Sequence, residues 1–277
     1  MRKKHKIKYN KCFGRAFAMN KDRSFSKNVP FGCRESSKVK SNWLEFLAFS
    51  ILLALIVGGL GYIGYHICRE DSIKAQADIN AAPAVVIDAG HGGMDGGATG
   101  VNGVPEKKLN LELAEKTAAL CRLNGMNVIM TRDSDRSLGE DAPKGKRKMT
   151  DLVKRLEIAN ANPDAVFFSI HMNKYPMSVC RGLQVWYSPN NSGSKRLADI
   201  VESGIKSGLQ TDNYRESKKA GSAIYLLDRM KNPAILVECG FLSNEEECTL
   251  LCSNEYQAKL AVCFCGSISA FISGNET

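Results

Sequence analysis

Residues 69–277 of this 277-residue chain contain two histidines, His91 and His171. Each sits at or just after the end of an apolar, strand-like run, VVIDAGHGG and VFFSIHMN. A third such run, AILVECGF, carries an acid, Glu238, where an apolar strand disfavours charge unless that charge has a task or a partner. Glu106 opens a helix-period segment; the helix dipole favours a carboxylate there, so capping alone would account for it. Two imidazoles and one carboxylate are the donor set of a catalytic zinc site with a fourth position open to water, and Glu238 would supply a base. Spacing alone leaves the plainer reading open, in which the histidines are satisfied polar groups, because no HExxH pair fixes the site. The glycines at 90, 92, 93, 96 and 97 crowd the first histidine and permit a tight loop with close backbone approach.

The elements that must position these groups can be read from periodicity. Strand-like runs occupy 84–89, 127–131, 165–170, 182–187 and 234–239. Between them, 107–124 spaces Leu109, Leu113, Leu120 and Leu123 as a helix does, and 148–161 does so with Leu152, Leu156 and Ala159. Segments 194–209 and 255–272 are two further helices. Alternating strands and helices predict an α/β fold, a single-domain twisted and mostly parallel sheet with helices on both faces. In such sheets sites gather at the carboxyl ends of the strands, where both histidines fall. The polar stretch 133–147 is long for a compact domain and is either a rim of the site or a solvent-facing insertion.

Charge separates the chain into regions. Residues 1–42 hold 13 of the 38 Lys and Arg but only Asp22 and Glu35 among the acids, a net +11. The other 235 residues carry 25 basic and 27 acidic side chains, a net −2, which excludes a basic nucleic-acid-binding surface on the main body. After the tail, Phe46 to Tyr65 runs 20 residues without a charge, enough for a helix to span the roughly 30 Å hydrocarbon core. A cleavable signal peptide is the rival reading, with Ala75-Gln-Ala77 as its site; the apolar stretch is longer than the usual signal core of about 7–15 residues. The expectation is therefore a basic cytoplasmic tail (1–42), a transmembrane anchor (43–68) contacting the membrane through residues 46–68, a polar linker (69–83) and a catalytic domain (84–273). The positive-inside rule then places that domain outside the cytoplasm, facing the wall.

The stretches AVVIDAGHGGMDGGATG, PEKKLNLELA, VFFSIHMN and ILVECGFLSN, in that order, closely resemble the motifs of the zinc-dependent N-acetylmuramoyl-L-alanine amidases, the amidase_3 family, over about residues 84–273. APKGKRKMTDLVKRLEIAN and AIYLLDRMKNPAILVECGFLSNEEE resemble the spore-cortex, CwlD-type subfamily of endospore formers. The resemblance implies one Zn2+ per chain held by His91, Glu106 and His171, with Glu238 as the catalytic acid/base. It implies peptidoglycan as partner and hydrolysis of the amide between the N-acetylmuramic acid lactyl group and L-alanine. For the cortex type it implies a role in muramic-δ-lactam formation, linked to a polysaccharide deacetylase. Ala89 stands where the family usually has proline, and Cys239 where it has an aliphatic residue; neither removes a functional group. Two alternatives are a zinc peptidase of the stem peptide and a non-catalytic, membrane-anchored wall-binding protein.

Other residues invite roles. Asn173 would hold a substrate amide or orient a ligand, or simply end its strand. Arg132 would meet a substrate carboxylate or form a surface salt bridge. Of the ten cysteines, Cys248, Cys252, Cys263 and Cys265 suggest a second zinc site, but Cys263 and Cys265 lie about 200° apart on one helix and cannot face one ion. Packing thiols are expected instead, with room for one disulfide from Cys252 to the last helix.

Overall fold

A computed structural model describes residues 42–274, excluding the side chains of 71–81; the expected basic tail at 1–41 lies outside the described residues. The first element, α1 (Trp43–Ala81), is helical through most of the stretch expected as a linker. Its segment Trp43–Glu70, 28 residues with a mean hydropathy of 2.4 in its most apolar window, is long and apolar enough to cross a bilayer.

The α/β domain begins at β1 (Ala84–Ala89), whose residues alternate between two packed faces. Val85, Ile87 and Ala89 enter one core, while Val86 enters the other. The chain continues as α2 (Glu106–Leu123), β2 (Asn127–Met130), α3 (Arg147–Asn160), β3 (Val166–Asn173), β4 (Gln184–Tyr187) and α4 (Gly193–Gly208). It ends with β5 (Lys218–Lys219), α5 (Tyr225–Arg229), β6 (Ala234–Phe241), α6 (Glu245–Leu251) and α7 (Asn254–Ser273). The sheet order is β2-β1-β3-β6-β4-β5, and every neighbouring pair is parallel except β4 with β6. The mostly parallel sheet read from periodicity is thus observed. The short β5, α5 and α6 carry too few periods to be read that way.

Helices α2, α4, α6 and α7 cover one face, and α3 and α5 the other. Helix α7 is tied into the larger core by Leu260, Phe264 and Ile268, with the Phe264 ring 5.1 Å from that of Phe168 on β3. Burying an aromatic side chain of this kind contributes about 1.5–3 kcal/mol. Its start is capped by Ser253, whose side chain accepts from the Tyr256 amide, and its end by Gly274 in the left-handed region.

Topology chooses the place for a site. After β1 the chain turns to β2 on one side, and after β3 it turns to the other side of the sheet. Beyond the carboxyl ends of β1 and β3 the connections diverge and leave a crevice. His91 follows β1, and His171 lies near the end of β3.

Candidate active site

The carboxyl end of β1 is held by two arginines, one from α3 and one from the segment after β2. Arg155, on the core-facing side of α3 and 2% exposed, donates from Nη1 to the Ala89 carbonyl and from Nη2 to that of His91. It also pairs with the buried Asp88 and, through Nε at 2.6 Å, with Asp151. Arg132, 1% exposed, donates to the carbonyls of Ala89, Gly90, Lys107 and Ser134. Neither role expected for Arg132 is found. It is a buried clamp on carbonyls at the end of β1 (Ala89, Gly90), in the first turn of α2 (Lys107) and in the segment after β2 (Ser134), acceptors that burial requires to be paired.

Asp88 also accepts from Thr131 and Ser169 at 2.7 and 2.6 Å. Burial opposes its charge, but Arg155 and these hydroxyls hold its carboxyl below the ordinary 3.8. The carboxylate stays ionised and can anchor Arg155.

So held, the loop places His91 at φ 61°, a left-handed conformation that costs a non-glycine residue about 1–3 kcal/mol. The ring is fixed at both nitrogens. Nδ1 lies 3.0 Å from Asp95 Oδ2, and Nε2 lies 3.2 Å from Glu106 Oε1. Burial works against a charge on this imidazole, yet Glu106 and Asp95 together raise its pKa above the ordinary 6.5.

Glu106, in the first turn of α2, accepts the Ala98 amide at Oε2 and the Met172 amide at Oε1, at 2.8 and 3.1 Å. The Met172 amide is free to do so because it points to the β1 side of β3, beyond Ala89, the last β1 residue paired with that strand. His171 Nδ1 approaches Glu106 Oε1 at 2.9 Å. Burial opposes the Glu106 charge, but His171 and His91 overcome it and hold the carboxyl far below its usual range.

Two glycines are required by this packing. A Cβ on Gly90 would overlap the His171 ring, and one on Gly97, at φ 65°, would overlap Glu106 and His91.

His91, Glu106 and His171 therefore converge, with one nitrogen or oxygen donor from each lying within 4.8 Å of the others. Tetrahedral zinc with ligand distances of about 2.0–2.2 Å separates its donors by about 3.3–3.6 Å; His91 Nε2 and His171 Nδ1 lie 3.2 and 2.9 Å from Glu106 Oε1, close to that spacing. Glu238 stands beside this set, paired across β3–β6 with His171. Its Oε2 is buried and has no hydrogen-bond partner. Burial raises its pKa above the ordinary 4.5, and no Lys or Arg among the described residues offsets this. An orphaned, proton-affine oxygen next to two imidazoles and a carboxylate is suited to taking up a proton.

The cleft over this cluster, about 350 Å³, is lined by His91, His171, Asp95, Leu152 and Leu226 among others. A larger cavity of about 970 Å³, around Arg181 and Tyr256, contains none of these groups. Segment 133–147 packs on the His91 loop, with Asp135 accepting from the Gly93 amide and from Lys107 Nζ, and it forms a rim of the site. Asn173 ends β3, its carbonyl accepting from Leu242. Cys252 is a surface thiol that accepts from Asn102 Nδ2 at 3.3 Å, and the disulfide to the last helix for which the sequence left room is not formed.

Comparison with known proteins gives this geometry its family. Residues 85–270 match the family model described as N-acetylmuramoyl-L-alanine amidase. The chain belongs to the amidase_3 family. It is a peptidoglycan amidase, cleaving the bond between N-acetylmuramic acid and L-alanine, which favours the first of the three activities weighed above.

The amidase is 34% identical over 225 residues to the germination-specific N-acetylmuramoyl-L-alanine amidase of Bacillus subtilis, covering 80% of this chain and 91% of the relative. It resembles the CwlD amidase of Clostridioides difficile, solved in complex with the GerS lipoprotein, with a TM-score of 0.67 and 34% identity over 70% of this chain and all of that one. It also resembles the amidase AmiC2 of Nostoc punctiforme, with a TM-score of 0.59 and 32% identity over 69% of this chain and 97% of that one.

Asp95, Arg155 and Asp88 were not singled out from sequence. Asp88 had a signal, an acid within the apolar run VVIDA, as did Arg155 on the stripe of Leu152, Leu156 and Ala159.

Proposed function

We propose that His91, Glu106 and His171 hold one Zn2+ ion in this amidase and that Glu238 is its catalytic acid/base. The observation that carries the reading is the convergence of three donor atoms beside the orphaned, buried Oε2 of Glu238. Bound there, zinc would act as a Lewis acid toward the scissile carbonyl and make water more acidic. His91 would ligate through Nε2, its ring fixed by Asp95 at Nδ1, and His171 through Nδ1. Glu238 Oε2 would take the proton of the attacking water and deliver it to the alanine nitrogen, which leaves poorly as an unprotonated amine. Arg155 and Arg132 act earlier, by holding the strained loop that presents His91.

The likeness to a germination-specific relative supports a role in spore-cortex processing, namely muramic-δ-lactam formation, with a polysaccharide deacetylase acting on the strand that the amidase has stripped. The apolar length of α1 supports a membrane anchor over 43–68 following a cytoplasmic tail at 1–42. Residues 69–83 would then be a spacer, and 84–273 a catalytic domain outside the cytoplasm.

Zinc content and peptide release, measured on the full chain and on His171→Ala, test the metal assignment. One zinc per chain in the wild type, with both quantities lost in the variant and on chelation, is the expected result; equal zinc in the two proteins would overturn it.

A further inference from the structure

Beside the cleft over His91 and His171 lies a second, larger one of about 790 Å³. The two share Asp95, Lys148 and Asp151, so they form one continuous groove leading from the candidate metal ligands to the rim. The second cleft adds Lys144 and Arg147 from the start of α3 and the segment before it, with the exposed Met94 opposite.

The charges in this groove are not equivalent. Its acids are committed to the protein. Asp95 is bound to His91 and the Gly97 amide, Asp151 to Arg155, Ser137 and the Leu138 amide, and Glu140 to the Ser137 amide. Its cations are held less firmly. Lys144 forms no ion pair or hydrogen bond among the described residues. Lys148 Nζ lies 3.8 Å from Asp95 and its side chain is 76% exposed. Arg147 uses only Nε, on the Ala142 carbonyl. The three acids and three cations of the second cleft balance, but each acid already accepts from the protein while Lys144 and Lys148 reach into solvent, which leaves these two ammonium groups the mobile charges of the groove.

We propose that this groove is a subsite for a free carboxylate of the stem peptide on the leaving side of the scissile amide, with Lys148 and Lys144 as the residues that recognise it. The inference rests on the amidase reading above, and chemistry selects the occupant. Of the two halves joined by the bond, the N-acetylated glycan is neutral, whereas the peptide carries carboxylates beyond its L-alanine. Lysines on flexible stems suit such a group, which varies in position between peptides. Asp95, 3.8 Å from Lys148, would share that lysine with the carboxylate, whereas Asp151 is held by Arg155.

The test uses the full chain in detergent and two soluble muropeptides that differ only in whether the glutamate following L-alanine carries a free carboxylate or a carboxamide. A charge-assisted hydrogen bond predicts a wild-type preference of roughly tenfold in kcat/KM for the free acid. In the double variant Lys144→Gln, Lys148→Gln, KM for the acid should rise by about that factor with kcat nearly unchanged. The amidated peptide should be cleaved as before, so that the preference vanishes. A wild type indifferent to amidation, or a variant weakened equally on both peptides, would overturn the subsite. Cleavage of neither peptide by the wild type would instead overturn the amidase reading, and the subsite with it. Zinc content of the variant is measured alongside; should it fall because Lys148 neighbours Asp95, Lys144→Gln alone, which touches none of the cluster, must still lose part of the preference.

Discussion

Replacing Glu238 with glutamine separates metal binding from proton transfer. A base placed at the reacting centre contributes about 10²–10⁴-fold, or roughly 3–5 kcal/mol of transition-state stabilisation, and the amide cannot accept the proton. If Glu238 were a structural acid paired with a buried cation, the substitution would instead cost about 3–5 kcal/mol of stability, a melting shift of roughly 6–20 °C for a domain of this size. Among the described residues no such cation stands beside it, and Oε2 is unpartnered. Glu238→Gln should therefore keep its zinc and melt no lower than the wild type. The sign can be checked further in chelated protein. Burial raises the folded pKa of Glu238 above 4.5, so the folded state holds the proton longer than the unfolded chain does. The wild type is then relatively stable at acid pH and loses that contribution as pH rises through the raised value, while the glutamine variant does not titrate. The variant should match the wild type below about pH 4.5 and be the more stable of the two at neutral pH. Scanning calorimetry across pH, with peptide release on the same preparations, reads both quantities. A zinc-loaded Glu238→Gln with near-normal turnover, or one melting well below the wild type at pH 7, would refute the reasoning.

Three other outcomes follow from the same geometry. Arg155→Met strands the fully buried Asp88 and loosens the His91 loop; it should lower the melting temperature by roughly 6–20 °C, and less than additively when combined with Asp88→Asn. A shift under about 2 °C would remove the clamp from the account. Asp95→Asn takes the carboxylate from His91 Nδ1 and should weaken zinc binding by about 10–100-fold in a chelator competition while the fold stays intact; wild-type affinity would show that Asp95 does not orient the ring. Protease added to protoplasts should remove the C-terminal domain and spare the N-terminal tail, whereas a mature chain beginning at Asp78 would mean that Ala75-Gln-Ala77 is cleaved.

The alternation of apolar runs with helix-period segments determined the sheet and its four longer helices, because the two periods are local properties of the chain. The few chemically able residues of residues 69–277, His91, His171 and Glu238, stood out because each interrupts or follows a run that is otherwise apolar. Glu106 was legible only through its place at a helix start, which capping would equally explain. Tertiary structure decided the rest. That donors from the loop after β1, from α2 and from β3 meet follows from a strand order that puts β1 beside β3, and from β3 running past the end of β1, which leaves the Met172 amide to Glu106. Arg132 read in sequence as a contact to a substrate carboxylate or a surface salt bridge, and Arg155 was not singled out, since nothing local reveals that the end of β1 leaves carbonyls unpaired. Only the fold buries those carbonyls, and a buried acceptor without a partner is costly enough to draw two guanidinium groups into the interior to satisfy it.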